Sequence, residues 1–275
     1  MTVVEERSYV SLSDWWYSTN SHQAERERQM PNWCYNYMTV MGTKREIAKF
    51  VKDITVAESN ERSYPEYELN KLVPLDPRGH KEITTTHKDA EGKEVTTTMG
   101  VFATKEKDGF DGYLDAYETW GSKWGACRPE IDDPTPAGNM ITIRYESAWS
   151  PCDGLIQKIS AIYPNLIFGV SSDEESRAFI CWSVFHNGTV IETGERDPNF
   201  LTPELRELSD KAEAEDADDD ALETWWEAHS EWNNYLMEQC DDDMLTCMKE
   251  YKKHLAYVRR CKKEGRTPRT FISSI

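Results

Sequence analysis

The stretch ETWGSKWGA, residues 118 to 126, combines residue types that could bind a ligand. Lys123 stands among glycines and could bind a phosphate, and the indoles of Trp120 and Trp124 are surfaces on which nucleobases stack. A phosphate-binding loop needs the pattern G-x-x-x-x-G-K-[ST] between a strand and a helix. This stretch lacks that pattern, and a short helix around Tyr113 to Tyr117 is predicted to precede Gly121. We therefore do not expect a phosphate loop of this type.

Two other interpretations of the stretch stay open, and they are compatible with each other. In the first it is a scaffold, in which Gly121 turns the chain out of the helix, Lys123 covers an indole and Trp124 fills the core. In the second it borders a groove for a small ligand, a nucleotide or single-stranded nucleic acid. The candidate groove residues are Trp33, Trp120, Ser122, Lys123, Trp124, Arg144 and Trp149, with Arg128 nearby.

Catalytic patterns are weak in this sequence. The six histidines are scattered, and neither a nucleophile elbow nor an H-E-x-x-H motif is found. The carboxylates Glu118, Asp132 and Asp133 could belong to a site, but a solvated edge is the simpler interpretation. We expect a protein that is not an enzyme and that carries no cofactor.

Cysteine and histidine recur every seven residues near the C-terminus, at Cys240, Cys247, His254 and Cys261. On a helix, seven residues span about 10.5 Å along the axis, whereas zinc holds its ligands about 2.0 to 2.3 Å away. The row therefore predicts a packing seam and no metal site. Met237, Met244, Tyr251 and Val258 follow the same spacing, and the seam requires a partner helix or the sheet domain.

Composition limits the partners and the compartment. The 275 residues carry a net charge of −18, which opposes binding to nucleic acid because phosphates are bound by Lys and Arg. Seven cysteines without a C-x-x-C motif favour reduced thiols. We find no apolar run of about 20 residues and no signal-peptide pattern, so we expect a cytoplasmic protein without membrane contact.

The charge is distributed unevenly along the chain. Residues 203–247 hold sixteen Asp or Glu against two Lys or Arg, a net charge of −14, whereas residues 248–275 hold nine Lys or Arg against two Glu, a net charge of +7. The acidic segment 203–247 is a candidate contact surface for a protein partner, or a solvated helix face. We also expect the basic end, Lys249 to Arg269, to fold against the acidic segment as an antiparallel helical pair.

The first unit of regular structure begins at Cys34. CYNYMTVMG predicts a strand, Thr43 and Glu46 form a capping box, and an amphipathic helix follows. YELNKLVPLDP predicts a short strand that ends at Pro74 and Pro77. The nearly symmetrical sequence ITTTHKDAEGKEVTTTM predicts an exposed, inserted β-hairpin.

A second unit follows the tryptophan stretch. NMITIRYESAW alternates as a half-buried strand, and Ser150 with Pro151 predicts a helix with a serine cap and the buried stripe Leu155, Ile156, Ile159 and Ile162. LIFGVSS and AFICWSVF predict strands, the latter continuing through an Asn187-Gly188 turn.

These units predict an α+β fold, a ferredoxin-like antiparallel sheet with helices on one face, the inserted hairpin and a C-terminal helical extension. The predicted regions are an N-terminal extension (1–29), a ferredoxin-like domain (30–200) and a charged helical region (201–275). Thr202-Pro203 begins the last region, and Leu222 to about Lys263 can be one long helix.

Three ordered tryptophan motifs add a family resemblance. Pro31-Asn32-Trp33-Cys34 with Asn36, Trp120-Gly121-Ser122-Lys123-Trp124, and Ala148-Trp149-Ser150-Pro151 resemble the signatures of the YubB-like family over roughly residues 30–192. The sequence departs from that pattern at Ser122, usually threonine, and at Cys152, usually proline. The resemblance implies a ferredoxin-like domain in a protein of bacteriophages or conjugative plasmids, and it implies no catalytic residues.

Charge, motifs and resemblance lead to one expected function and one alternative. We expect a phage-encoded, non-enzymatic interaction protein that modulates or inhibits a host protein, such as a defence or nucleic-acid-processing factor. The alternative is a small-ligand, nucleotide or single-strand binding module that uses the Trp/Lys groove.

Overall fold

The computed structural model describes residues 32–56, 66–88, 94–102, 110–132, 139–199, 201–214 and 218–275. The predicted N-terminal extension and Asp133 lie outside these residues. Side chains of residues 79–109 are likewise outside the description, so the predicted exposure of the hairpin stays a prediction.

The elements of the described residues follow the order expected from the sequence with two exceptions. The strand Cys127–Ile131 was not predicted, and the strand predicted from YELNKLVPLDP does not form. The strands are β1 (Trp33–Met41), β2 (His80–Lys88), β3 (Glu94–Phe102), β4 (Cys127–Ile131), β5 (Met140–Ala148), β6 (Ile167–Glu174), β7 (Ile180–His186) and β8 (Thr189–Arg196). The helices are α1 (Lys44–Ile54), α2 (Gly112–Trp120), α3 (Asp153–Ile162), α4 (Pro203–Ala212) and α5 (Asp219–Lys263). Two short 3₁₀ turns, Asn70–Leu72 and Pro77–Gly79, precede β2.

Within the described part of the chain, six strands form one antiparallel sheet in the order β4-β5-β1-β6-β7-β8. The strands β2 and β3 form a separate two-stranded sheet among the described residues, in the register that sets Thr84 opposite Thr98 and Thr86 opposite Thr96. The predicted α+β, ferredoxin-like fold with an inserted hairpin is confirmed.

One face of the sheet packs on α1, α2 and α3. Alternation along β5, which the sequence predicted, directs Ile141, Ile143 and Tyr145 into this core, where they join Phe50 of α1 and Phe168 of β6. Which of the two strand faces is buried was not predicted. Helix α1 begins at the predicted capping box, because Thr43 accepts from the backbone N–H of Glu46 and Glu46 accepts from that of Thr43. The local sequence signals therefore agree with the tertiary packing on this face.

The other face is covered over β6, β7 and β8 by α5. Met244, Cys247 and Met248 pack with Trp182 and Val184 in a second buried cluster. The partner of the predicted seam is thus the sheet. The helix is 45 residues long, which corresponds to about 68 Å at 1.5 Å per residue.

The expected antiparallel pair of acidic segment and basic end is wrong. Residues 219–263 form one uninterrupted helix, so its acidic and basic halves point away from each other along one axis. The acidic α4 folds back instead and packs on α5. The basic end of α5 carries the opposite charge, but the middle of the seam, from Met237 to Tyr251, packs on the sheet within a continuous helix.

Three local predictions also need correction. YELNKLVPLDP forms a single bridge between Tyr67 and Thr55 followed by 3₁₀ turns. Helix α3 has Cys152 at its N-cap without a side-chain hydrogen bond, because the hydroxyl of Ser150 donates to Gly121 instead. Ile162 is exposed, and Tyr163 is buried in its place.

No helix in the described ranges combines the length and the apolar character needed to cross a bilayer. The three predicted region boundaries stay predictions.

Candidate functional site

The three tryptophan motifs meet at one end of the sheet. Pairing of β1 with β5 sets Trp33 opposite Ala148. Helix α2 delivers the second motif to the same place, because Gly121 ends it in the left-handed conformation, with φ of 81°. The three motifs, which are far apart in the sequence, are therefore neighbours in the structure.

Hydrogen bonds fasten the second motif to the third. The hydroxyl of Ser122 donates to the carbonyl of Ala148 at 3.1 Å and accepts from its N–H at 3.2 Å. The hydroxyl of Ser150 donates to the carbonyl of Gly121 at 2.9 Å. Ser122 is fully buried, so this candidate groove residue holds the two loops together and does not face solvent.

Asn70 fixes the chain beyond Lys123. Its amide donates to the carbonyl of Trp124 at 3.0 Å and accepts from the N–H of Ala126 at 2.9 Å. Gly125 lies between these two residues with φ of 64°, a backbone conformation that favours glycine. Sequence reasoning missed Asn70, because it lies in the stretch that was predicted to be a strand.

Trp33, Trp124 and Trp149 form what we call the tryptophan shelf. The ring centroids of Trp33 and Trp124 are 5.8 Å apart, and those of Trp124 and Trp149 are 6.0 Å apart. Trp149 is 41% exposed and has φ of 61°, an unusual value for a bulky residue. Backbone strain of this kind concentrates at ligand sites, and here it directs an indole toward solvent.

The ammonium group of Lys123 lies over the aromatic rings around the shelf. Its Nζ is 4.9 Å from the ring centroid of Trp124 and 5.6 Å from the centroids of Trp149 and Tyr113. Burial lowers the pKa of this ammonium group below its usual value. None of the ion pairs among the described residues includes Lys123. The cation is therefore half desolvated and positioned to meet an anionic group.

Arg128 closes the opposite end of the shelf. Its guanidinium carbon lies 4.8 Å from the ring centroid of Trp33, and its Nη2 lies 2.5 Å from a carboxylate oxygen of Glu146. Unlike Lys123, Arg128 is thus already neutralised by a carboxylate. Of these two cations, Lys123 is the one that has no ion pair with a described residue, so an anion is expected to bind at its end of the shelf.

Trp120 and Arg144 lie apart from the shelf. Trp120 is buried in the core, where its Nε1 donates to the carbonyl of Val73 at 2.7 Å. It fills the place that the sequence analysis gave to Trp124, which is only half-buried. Arg144 is four residues from Ala148, about 13 Å along β5, and its Nη2 lies 2.6 Å from Asp132 and 3.7 Å from Glu130.

A second surface of interest is the acidic hairpin, which we define as residues 203–214 and 218–230, comprising α4 and the start of α5. Leu205 and Ala212 are buried on its inner side. Its outer side carries exposed carboxylates, which are those of Glu204, Glu207, Asp210, Glu213, Asp218, Asp219, Asp220, Glu223 and Glu227. Trp226 is 62% exposed beside Glu223 and Glu227, and Leu222 is exposed one turn away.

Four cysteines and His186 could in principle take part in catalysis, but each is packed among other side chains. Burial raises the pKa of the Cys127 and Cys181 thiols to about 12 and that of Cys240 and Cys247 to about 11. Thiolates are the reactive form of cysteine, so these thiols are poor nucleophiles at neutral pH. His186 packs on Tyr251, with its Nδ1 3.3 Å from the phenol oxygen.

Comparison with known proteins agrees with this geometry at the level of the domain. Residues 123–224 match the family model described as a ferredoxin-like domain in Api92-like protein. This part of the chain is thus similar to the ferredoxin-like domain of Api92-like protein, and the match covers less than half of the chain. The match begins at Lys123, next to the tryptophan shelf, and ends inside the acidic hairpin.

One solved structure is similar to part of this chain, the crystal structure of protein api92 from Yersinia pseudotuberculosis. It aligns with a TM-score of 0.39 and 9% identity, over 61% of this chain and 98% of that one. The comparison with curated proteins gives no match.

Proposed function

We propose that this chain is a non-enzymatic interaction protein whose acidic hairpin docks on a basic surface of a protein partner. The observation that carries the proposal is Trp226, which is 62% exposed among carboxylates on α5. A face that only serves solubility needs acids but no exposed indole. Tryptophan is among the residues that dominate binding energy at protein interfaces.

Charge specifies the kind of partner. The segment 203–247 has a net charge of −14, and a field of this sign steers basic surfaces to the hairpin and raises association rates. Proteins that bind nucleic acid present such basic surfaces. The hairpin could therefore occupy a surface on which the partner normally holds nucleic acid.

The origin and the target form the finer part of the proposal. The three tryptophan motifs resemble those of the YubB-like family, which is found on phages and conjugative plasmids. We propose a phage-encoded protein in the bacterial cytoplasm that modulates or inhibits a host defence or nucleic-acid-processing factor. The clustering of the motifs around the shelf supports the relevance of the resemblance.

A comparative pull-down tests the proposal. Tagged wild-type chain, a Trp226→Ala variant and a Glu223→Lys/Glu227→Lys variant are expressed in bacterial cells and purified with their bound proteins. We expect a stoichiometric partner on the wild type that is lost from both variants, because they remove the indole or reverse the local charge. The retained protein should then bind nucleic acid less well when the wild-type chain is added.

The control variant is Glu68→Lys, which reverses a charge at an exposed site far along the chain from the hairpin and should retain the partner. Equal melting temperatures would show that all variants fold. Capture of the same proteins by wild type and hairpin variants, or the absence of any stoichiometric partner, would refute the proposal.

Lys123 favours a second binding function, that of a small anionic ligand with a planar ring. The exposed face of Trp149 could stack on the ring while the half-buried ammonium group binds a phosphate or carboxylate. The alternative role of Lys123 is to cover the indoles with its stem.

Titration of tryptophan fluorescence with a panel of nucleotides and short oligonucleotides tests this second function. A ligand should quench the wild type and bind at least about tenfold more weakly to Lys123→Met, since a charge-assisted hydrogen bond is lost. Lys44→Met, at an exposed site on α1, should bind like the wild type. No response across the panel, or equal affinity of both variants, would leave Lys123 a covering residue.

A further inference from the structure

The outer side of α5 carries a second ordered pattern of charge, outside the acidic hairpin. Residues at alternating spacings of three and four form one helix face, which we call the outer face. It consists of Glu231, Tyr235, Glu238, Asp242, Leu245, Lys249, Lys252, Ala256, Arg259 and Lys263. All are exposed except the half-buried Leu245. The described residues of the same chain therefore leave this face uncovered.

Among the residues that the structure describes, the charged residues of the outer face form no ion pair with a side chain of opposite sign. None of the ion pairs formed by described residues includes Glu231, Glu238 or Asp242 on the acidic half. The same holds for the basic residues Lys249, Lys252, Arg259 and Lys263. In contrast, the neighbouring Asp243, which points elsewhere, pairs with Arg196.

The outer face has acids on one side of Leu245 and bases at matching distances on the other side. A second copy of the helix, placed antiparallel to the first, therefore sets each acid opposite a base. Counted from Leu245, Asp242 is three residues before and Lys249 four residues after. Glu238 and Lys252 each lie seven residues away, and Glu231 and Arg259 each lie fourteen residues away. We propose that two copies of this chain associate through antiparallel α5 helices, with a two-fold axis near Leu245. Each acid of one copy then faces a base of the other, and every pair occurs twice.

An apolar contact of the same symmetry supports the charge argument. Tyr235, 48% exposed, lies ten residues before Leu245, and Ala256 lies eleven residues after it. Beside Ala256 is a hollow of about 480 Å³, in which Met41 and Met140 provide apolar surface and Lys249, Lys252 and Lys253 stand at the rim. The antiparallel arrangement directs Tyr235 of the partner subunit toward this hollow. Methionine and lysine both interact favourably with an aromatic ring.

Two properties of the dimer follow from this composition. Exposed ion pairs are individually weak and are screened by salt, so we expect association to weaken as ionic strength rises. The charge pairs and the Tyr235 contact all lie within residues 231–259, outside the acidic hairpin, so the dimerisation test does not depend on the proposed function. Only Lys263, at each end of the contact, lies opposite Glu227 of the partner subunit.

Charge exchange across the two-fold axis tests the proposal. Sedimentation of the full chain at low ionic strength should give about twice the 31.9 kDa mass of one copy. Glu238→Lys or Lys252→Glu alone should weaken the dimer at least about tenfold, because each places like charges opposite each other twice. The double variant Glu238→Lys/Lys252→Glu should recover dimerisation, since the exchanged charges attract again.

Two further variants sharpen the result. Tyr235→Ala should weaken the dimer about tenfold, as expected for an aromatic contact at an interface. Lys262→Glu makes the same charge change as Lys252→Glu at an exposed site off the outer face and should leave the dimer intact. A monomeric wild type at low ionic strength, or a double variant no better than the single ones, would overturn the inference.

Discussion

At the scale of single residues, Ser122 shows how a ligand-like motif can serve the fold. In the sequence, a serine between glycine and lysine belongs to a candidate groove. In the structure its hydroxyl bonds both backbone groups of Ala148 from a fully buried position. Sequence identified the important residues of this region, but only the pairing of distant segments decides which side chains face inward.

Replacing Ser122 with alanine should destabilise the protein by about 1–3 kcal/mol, because the buried N–H and carbonyl of Ala148 lose their partner. Urea unfolding of the variant measures this change. Thr246→Ala, which removes a hydroxyl at an exposed position of α5, should change stability by less than about 0.5 kcal/mol. A loss in Ser122→Ala no larger than in this control would show that the hydrogen bonds between the loops do not stabilise the fold.

At the scale of elements, α5 shows what periodicity can and cannot predict. The seven-residue spacing of methionine, cysteine and tyrosine correctly indicated a buried seam, but the spacing alone left a helix or the sheet as its partner. The charge pattern led to a wrong prediction. The opposite net charges of the acidic segment and the basic end suggested that the two form an antiparallel helical pair. The choice depended on apolar residues of β6, β7 and β8, which leave a face of the right shape only once the sheet is assembled.

Gly169 of β6 lies where α5 packs on the sheet, and its lack of a side chain leaves room for two methionines of α5. A Cβ at this position would overlap the thioether of Met248 and lie 2.8 Å from the sulfur of Met244. Gly169→Ala should therefore destabilise the protein by about 1–3 kcal/mol through overpacking, and Met248→Ala by about 2–5 kcal/mol through a cavity.

The two changes should compensate each other in part. The double variant should lose less stability than the sum of the single losses, by about 0.5–3 kcal/mol. Ile47→Val, in the core on the opposite face, should instead add to Met248→Ala within about 0.5 kcal/mol. Additive losses of Gly169→Ala and Met248→Ala would mean that α5 does not rest closely on β6.

At the scale of the whole molecule, the fold was predictable because local signals agreed with one another. The capping box of α1, the alternation of β5 and the Asn187-Gly188 turn each matched the element that formed. The site was predictable only in part, since Trp33, Lys123, Trp124 and Trp149 meet while Trp120 and Arg144 lie elsewhere. The tertiary position of a residue within a motif is set by backbone geometry, such as φ at Gly121 and Trp149, which residue types alone do not specify.

The whole molecule presents three surfaces that differ in their chemistry. The tryptophan shelf offers aromatic faces and Lys123, a cation without an ion pair among the described residues. The outer face of α5 offers self-complementary charge, and the acidic hairpin offers an exposed indole among carboxylates. A binding protein can use all three surfaces. The acidic hairpin is the surface on which the proposed function depends.

The most direct test of that function is the affinity of the purified partner for wild-type chain and for Trp226→Ala, measured by calorimetry at two ionic strengths. We expect Trp226→Ala to raise Kd about tenfold or more, in line with the loss of an interface tryptophan. Wild-type Kd should also rise with salt, because the acidic hairpin attracts a basic surface. A Kd that is unchanged by Trp226→Ala and insensitive to salt would contradict the account.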